Sequence, residues 1–209
     1  RQYQEDLINQ NKGTLVAKIV KMSMEVEIPE APLDENGVVI DSNFRFLFYR
    51  EHYWDNVDLN DDALVNNPIF HNKLEYFFGQ KMMNQHWDTV TKYEFRFCDQ
   101  LNPKSKMFEY SVGWITSSFG KSKIMGMDKV YLEMLNRYYC TDNLEGNSPA
   151  FWVGEDKFEE LCDNLKNKLR LTMGSVPFNL KLRDTTDVNW VDFYSLDSEY
   201  TILYSESRL

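Results

Sequence analysis

The hydrophobic positions of this chain recur at three- and four-residue steps over most of its length, and this spacing predicts helices. The most aromatic segment runs from Phe44 to Phe78 and changes character twice. An amphipathic run over Phe44–Trp54 is followed by an acidic, amide-rich connector over Asp55–Asn67. Asn67-Pro68 then begins a second helix, because an asparagine cap followed by proline favours a helix start. This segment by itself predicts a helical core and no chemistry.

Further helices are predicted on the amino-terminal side. Tyr3 to Gln10 forms the first, Gly13 ends it, and Thr14 caps the second. The predicted apolar face of this second helix consists of Leu15, Val16, Ile19 and Val20. Between Glu25 and Ser42, two prolines and an Asn-Gly pair predict an irregular connector or a short hairpin.

The carboxyl-terminal side of the segment shows the same periodicity. Its apolar positions fall into four sets: Val90, Tyr93, Phe97 and Leu101; Phe108, Val112, Ile115 and Phe119; Met127, Val130, Tyr131, Met134 and Tyr138; and Phe158, Leu161, Cys162, Leu165 and Leu169. The chain is therefore predicted to be mainly α, an antiparallel array of about seven or eight helices with short connections.

The period changes near Met173-Gly174. Apolar Phe178, Leu180 and Leu182 alternate with polar residues, which predicts a strand. Two further strands are predicted over Trp190–Tyr194 and Tyr200–Tyr204.

A run of helices followed by a run of strands indicates a domain boundary. We therefore expect a helical domain over residues 1–173 and a β-rich segment over residues 174–209. A sheet this small is not stable on its own. Its apolar faces need the helical domain or a second copy of the chain as cover, and unpaired strand edges favour a homodimer through this segment.

Composition restricts the classes of partner. The chain has 43% hydrophobic and 27% charged residues, which is typical of a folded protein. Its net charge of -10 argues against nucleic acid or an anionic membrane surface as partner. No apolar run approaches the length of a membrane span. Because the chain begins at Arg1 rather than Met, its lack of a signal peptide says nothing about export.

The three cysteines, Cys98, Cys140 and Cys162, are too few and too scattered for a disulfide scaffold or a zinc site. Cys98 and Cys162 fall on apolar helix faces, where cysteine is usually a small buried hydrophobe. A bridge between Cys140 and Cys162 is the alternative in an oxidising compartment. Spacing alone does not show that the Cβ atoms meet.

Two histidines invite a metal hypothesis. His71 and Glu75 lie four residues apart on one predicted helix, and His52 is near Asp55 and Asp58. These residues lack the fixed spacing of a metal-binding motif. The simpler interpretation is a pair of ordinary histidines and a solvated acidic loop, and we assign no metal ligand.

Three other segments contain residue types that also occur in functional sites. The run Arg50–Trp54 mixes charged and aromatic side chains, as binding surfaces do, but Tyr53 and Trp54 packing inward gives the same mixture. Lys121–Asp128 has a glycine before a helix and no P-loop arrangement, so a turn between helices is the better interpretation. Ser117 and Ser118 lack an elbow motif. We therefore assign no catalytic or cofactor-binding residue.

Several segments resemble a known family. FRFLFYREHYWDNVDLNDDAL, NNPIFHNKLEYFF and SKIMGMDKVYLEML are similar to the helical domain of unknown function that precedes a TlpA-like thioredoxin domain in thiol–disulfide interchange proteins of Bacteroidetes. The resemblance covers roughly residues 10–172. Val176-Pro177 and the segment FNLKLRDTTDVNWVDFYSLDSEYTILY are similar to the opening strands of such a thioredoxin domain.

The resemblance implies a non-catalytic accessory domain that positions the redox domain or binds a client protein. In the family, the strand that corresponds to Tyr200–Tyr204 leads into a Cys-x-x-Cys motif. Here the chain reads Ser205 to Leu209 and ends before that motif, so no redox residue is carried over. The resemblance also implies a periplasmic or outer-membrane-attached location, often as a lipoprotein. The alternative is a stand-alone helical module that binds a peptide or a glycan, which an exposed cluster of Tyr53, Trp54 and Trp87 would favour.

Overall fold

The computed structural model describes most of the chain, namely residues 1–79, 82–83, 86–140, 150–169, 171–172, 179–184, 186 and 189–197. The chain divides into two compact units, Arg1–Leu169 and Arg170–Leu209. The first unit is helical, and the second contains a short two-stranded antiparallel sheet. The predicted fold class, a mainly helical array followed by a short β segment, is confirmed.

Eight α-helices are present in the described part of the first unit. Their bounds are Gln2–Gln10 (α1), Leu15–Ser23 (α2), Phe44–His52 (α3), Pro68–Phe78 (α4), Trp87–Cys98 (α5), Lys106–Gly120 (α6), Met127–Met134 (α7) and Glu155–Leu169 (α8). A 3₁₀ helix spans Asp62–Asn66 before α4, and a π-helical turn spans Leu135–Tyr139 directly after α7.

The helix starts follow the capping residues in the sequence. The Thr14 hydroxyl accepts a hydrogen bond from the amide of Ala17 at 3.3 Å, and the Asn67 side chain accepts one from the amide of Ile69 at 2.8 Å. Each of these bonds satisfies one of the amides that a helix leaves unpaired in its first turn. Both predicted caps are confirmed.

The core of the first unit lies among α4, α5, α6 and α7. Their predicted apolar positions are buried apart from Tyr131 of α7, which is half-buried. Trp54 packs into the same core with its ring centroid 4.3 Å from that of Phe97. The rings of Phe70, Phe77 and Phe78 surround Trp54 on its other sides. Aromatic packing of this kind contributes both buried apolar area and favourable ring geometry.

The predicted apolar face of α2 is partly wrong. Leu15 and Val16 are 44% and 54% exposed, whereas Ala17 and Met22 are the buried residues of this helix. Apolar side chains occupy most of the circumference of this nine-residue helix, so the sequence pattern does not define one face. Helix α3 likewise buries none of its nine residues fully, and Phe46 and Leu47 are exposed.

The segment between α2 and α3 contains the predicted short hairpin. Leu33 and Val39 form an isolated antiparallel bridge around an Asn-Gly turn. Gly37 has a φ of 78°, a conformation that glycine adopts without steric cost. The Asp34 carboxylate accepts hydrogen bonds from the amides of Asn36 and Val38, which closes the turn.

The second unit contains strands Lys181–Arg183 (β1) and Trp190–Asp192 (β2), with Leu182 opposite Val191. The strand predicted over Trp190–Tyr194 ends at Asp192, because Phe193–Ser195 turns into a 3₁₀ helix. The Ser195 hydroxyl donates to the carbonyl of Asp192 at 2.6 Å and stabilises that turn. Phe178 and the strand predicted over Tyr200–Tyr204 lie outside the described residues.

A search of the described helices found none with both the length and the hydropathy that a membrane crossing requires.

Candidate functional site

A cavity of about 350 Å³ opens between the end of α2, the residues that follow it, α3 and α4. Its polar and aromatic lining includes Glu25, Tyr49, Tyr53, Lys73 and Tyr76, and we refer to it as the Lys73 pocket. Helical spacing explains how these side chains meet. Tyr49 and Tyr53 lie four residues apart, and Lys73 and Tyr76 lie three apart, so each pair projects from one side of its helical segment.

Lys73 is half-buried, and its ammonium nitrogen lies 4.2 Å from the centroid of the Tyr53 ring. Burial lowers the pKa of Lys73, and the carboxylate of Glu25 partly offsets this effect. None of the carboxylates in the described part of the chain lies within ion-pair distance of this ammonium group. The pocket therefore presents a partly desolvated cation that rests on an aromatic face.

The tyrosines of the pocket are packed together. Tyr53 stacks on Tyr76 with ring centroids 6.1 Å apart, and Tyr49 meets Tyr53 edge-on at 5.6 Å. The Tyr53 hydroxyl donates to the backbone carbonyl of Lys73 at 3.3 Å. Burial raises the pKa of Tyr49 and Tyr53, so both phenols are neutral at physiological pH. Tyr76 remains 41% exposed and forms an accessible aromatic wall.

A second cavity, of about 300 Å³, lies between the end of α7 and α8. Its polar lining consists of surface side chains of α8, among them Lys157, Glu160 and Lys168. Among the described residues, Tyr131 is its one aromatic lining residue. The Lys73 pocket has three tyrosines beside its charged and amide groups, and we regard it as the better candidate site.

The histidines do not converge. His52 contacts Asp55 at 2.7 Å through Nδ1 and stacks on Phe48, whereas Nδ1 of His71 lies 2.7 Å from the Tyr110 hydroxyl. Among the described residues, no group of three or more His, Cys, Asp or Glu side chains could hold a metal ion.

The acidic connector is tied to α2 rather than fully solvated. Lys18 contacts the carboxylates of Asp58 at 2.9 Å and Asp61 at 2.6 Å. Hydrogen bonding to Lys18 lowers the pKa of Asp61. Asp62 of the same connector contacts α6, since its carboxylate accepts a hydrogen bond from the amide of Met107 at the start of that helix.

The aromatic residues near the end of α3 pack inward, as the packing interpretation predicts. Tyr53 is buried, and Trp54 lies in the ring cluster of the core. Glu51 remains exposed and pairs with Arg96, while Arg50 is half-buried and lies over the Tyr93 ring. Trp87 is half-buried beneath the ammonium group of Lys129. These rings therefore do not form the exposed cluster that would favour a peptide or glycan site.

The cysteines divide into one bridged pair and one buried thiol. Cys140 and Cys162 form a disulfide with their Cα atoms 5.5 Å apart. This bridge joins the end of the π-helical turn to α8. Cys98 is free and fully buried, as its place on the apolar face of α5 predicts, and burial raises the pKa of its thiol. Cys162 does not follow the buried-thiol interpretation.

The remaining candidates have structural roles. Within Lys121–Asp128, the residues up to Gly126 connect α6 to α7 as a turn, and Gly126 has a φ of 84° directly before α7 begins at Met127. Ser117 and Ser118 lie within α6, and Ser117 is exposed.

A comparison with protein families finds one match, to the domain of unknown function DUF5106, over residues 2–148. This match covers more than half of the chain. The chain belongs to the DUF5106 family. No curated protein and no solved structure is significantly similar to it.

The DUF5106 match covers α1 to the π-helical turn and includes every residue of the Lys73 pocket. Helix α8 lies beyond the match, so the disulfide joins the DUF5106 region to the helix that follows it. Sequence reasoning missed Lys73 and Tyr76 as site residues. The four-residue spacing of Tyr49 and Tyr53 can be read from the sequence, but their contact with α4 depends on how the helices pack.

Proposed function

We propose that this chain is a non-catalytic accessory domain of an exported thiol–disulfide interchange protein. Its helical unit positions a thioredoxin-like redox domain or holds a client protein. The proposal includes an envelope location, in the periplasm or attached to the outer membrane, in a bacterium of the Bacteroidetes type.

The observation that carries this proposal is the β hairpin of the second unit. Leu180 and Trp190 are exposed there, Trp190 by 63%. A two-stranded sheet is marginally stable at best, and unpaired edges with apolar faces need further strands or another partner. A larger sheet that continues from this hairpin would supply the cover. The similarity of this segment to the opening strands of a thioredoxin domain supports that interpretation.

The disulfide supports the location. Structural disulfides persist in oxidising compartments such as the bacterial periplasm and are rare in the cytosol. The Cys140–Cys162 bridge therefore favours an exported protein. The free thiol supports a non-catalytic role, since a buried cysteine with a raised pKa forms little reactive thiolate.

A second copy of the chain could cover the same hairpin. Pairing of strand edges between two copies would give a homodimer with a shared sheet. We propose this homodimer for the case in which no redox domain pairs with the hairpin.

The natural coding sequence around this segment tests the proposal. We expect a Cys-x-x-Cys motif a short distance after Tyr204 and an export or lipoprotein signal before Arg1. A stop codon directly after Leu209 would contradict the association with a thiol–disulfide protein, and a stand-alone binding module would then be the better interpretation.

A further inference from the structure

We propose that the Lys73 pocket binds a neutral saccharide. This inference does not depend on the proposed function, because the pocket lies entirely within the helical unit. The volume of about 350 Å³ falls within the range of roughly 300–1,000 Å³ that is usual for small-molecule sites.

The charges of the pocket favour a neutral ligand. Among the described residues that line it, Lys73 and Glu25 are the two with charged side chains, and they are opposite in sign. An anionic ligand would be attracted to Lys73 but repelled by Glu25, and a cationic ligand would meet the reverse. A neutral ligand avoids both penalties and can use both groups, since an ammonium donates hydrogen bonds and a carboxylate accepts them.

The hydrogen-bonding groups of the pocket suit hydroxyls. Each sugar hydroxyl is both a donor and an acceptor, and so are the phenols of Tyr49 and Tyr76 and the amide of Asn72, which also lines the pocket. Lys73 has donor capacity to spare, because within the described part of the chain its ammonium group rests on the Tyr53 ring rather than on an acceptor. The hydroxyls of a sugar ring would supply acceptors for the ammonium group of Lys73.

The aromatic wall suits the apolar face of a sugar ring. Tyr76 is partly exposed and stacks on Tyr53, which holds its ring in place. Tyrosine offers a rigid apolar face with a polar tip, and few rotatable bonds are frozen when a ligand packs on it. The pocket thus pairs an apolar platform with donors and acceptors at its margin.

An extended peptide fits the pocket less well. Peptides that add to a protein as a strand need an open backbone edge. Among the described residues, the extended wall of the pocket is the short segment after α2, and there the carbonyl of Met24 already accepts a hydrogen bond from the Asn56 side chain at 3.1 Å. We therefore favour the saccharide, and peptide binding becomes an outcome of the test.

The test is isothermal titration calorimetry of the 209-residue protein with cellobiose, maltose, N,N′-diacetylchitobiose and glucuronic acid, and with a neutral proline-rich peptide. We expect at least one neutral disaccharide to bind with a Kd in the millimolar range or tighter, and glucuronic acid to bind more weakly. Tyr76→Ala and Lys73→Met should each weaken that binding by about tenfold or more. Tyr3→Ala, a tyrosine that is 77% exposed on α1, is the matched control and should leave the affinity unchanged.

Circular dichroism shows whether each variant is folded. If Tyr76→Ala unfolds, Lys73→Met still tests the pocket, because it keeps an apolar side chain against Tyr53. The proposal is overturned if none of the three disaccharides binds, or if binding survives both pocket substitutions. Binding of the peptide without binding of any of the sugars would also overturn the proposal and would assign the pocket to peptides.

Discussion

Glu94 is the residue whose chemistry is least expected in a helical core. It lies on α5, is fully buried, and neither carboxyl oxygen has a hydrogen-bond partner in the part of the chain that the structure describes. Burial raises the pKa of this carboxyl well above its ordinary value. A charged carboxylate at this position would be strongly unfavourable, so we expect Glu94 to be protonated in the folded protein near neutral pH.

This burial predicts a specific pH dependence of stability. Above the ordinary glutamate pKa of about 4.3, the unfolded chain loses the Glu94 proton while the folded protein keeps it. The folded state then binds more protons, so the contribution of Glu94 to stability is complete below that pH and is lost as pH rises. In urea unfolding between pH 5 and pH 8, we expect Glu94 to lower the free energy of unfolding of the wild-type protein by up to about 1.4 kcal/mol per pH unit. Glu94→Gln should remove this decrease.

The control for this experiment is Glu159→Gln, which changes an exposed glutamate of α8. This variant should keep the pH dependence of the wild-type protein. An identical pH dependence for Glu94→Gln and wild type would contradict the assignment of a buried, protonated Glu94.

Single residues were predictable only where the sequence pattern determines their surroundings. The burial of Cys98 and Tyr53 follows from their place on an apolar helix face, and the structure confirms it. Glu94 and Lys73 were not singled out, because a charged residue within an amphipathic helix looks the same whether its side chain reaches water or not. The pairing of Cys140 with Cys162 depends on the approach of two helices, which spacing along the chain does not determine.

At the scale of elements, the residues that precede the helices allow the contribution of side-chain capping to stability to be measured. Asn67 accepts a hydrogen bond from the amide of Ile69, whereas Asn43, the residue before α3, makes no side-chain capping bond. We expect Asn67→Ala to lower the free energy of unfolding by about 1 kcal/mol.

The matched control is Asn43→Ala, which should change stability by less than about 0.5 kcal/mol. Urea unfolding of both variants at one pH measures the difference. Equal losses for the two substitutions would show that the Asn67 cap does not contribute as the structure indicates.

Element types were predicted better than their faces and ends. Helices α4, α5 and α6 have one dense apolar face, and the predicted faces are the buried ones. Helix α2 has apolar residues around most of its surface, so only packing against its neighbours decides that Ala17 is buried while Val16 is exposed. The strand β2 ends early because a local hydrogen bond of Ser195 favours a turn, a competition that alternation alone does not show.

At the scale of the molecule, the disulfide closes a loop between the π-helical turn and α8, and its two cysteines are separated by 22 positions in the sequence. Closing a loop of this length restricts the unfolded chain and stabilises the fold by about 3 kcal/mol. The double variant Cys140→Ala, Cys162→Ala should lose about this amount in urea unfolding.

Reduction provides the internal control. Dithiothreitol should lower the stability of the wild-type protein to a similar extent and leave the double variant unchanged. Alkylation of the unreduced, denatured protein should label Cys98 alone. Labelling of all three cysteines without reduction would contradict the bridge and remove its support for an exported protein.

We propose that this chain accompanies a thiol–disulfide activity without catalysing it. The most direct test of this proposal compares insulin reduction by the natural full-length protein with that by the 209-residue chain. With dithiothreitol as the electron donor, we expect the full-length protein to accelerate insulin reduction and the 209-residue chain not to, because the three cysteines of the chain form no Cys-x-x-Cys pair and Cys98 is buried. Activity in the 209-residue chain, or no activity in the full-length protein, would contradict the account.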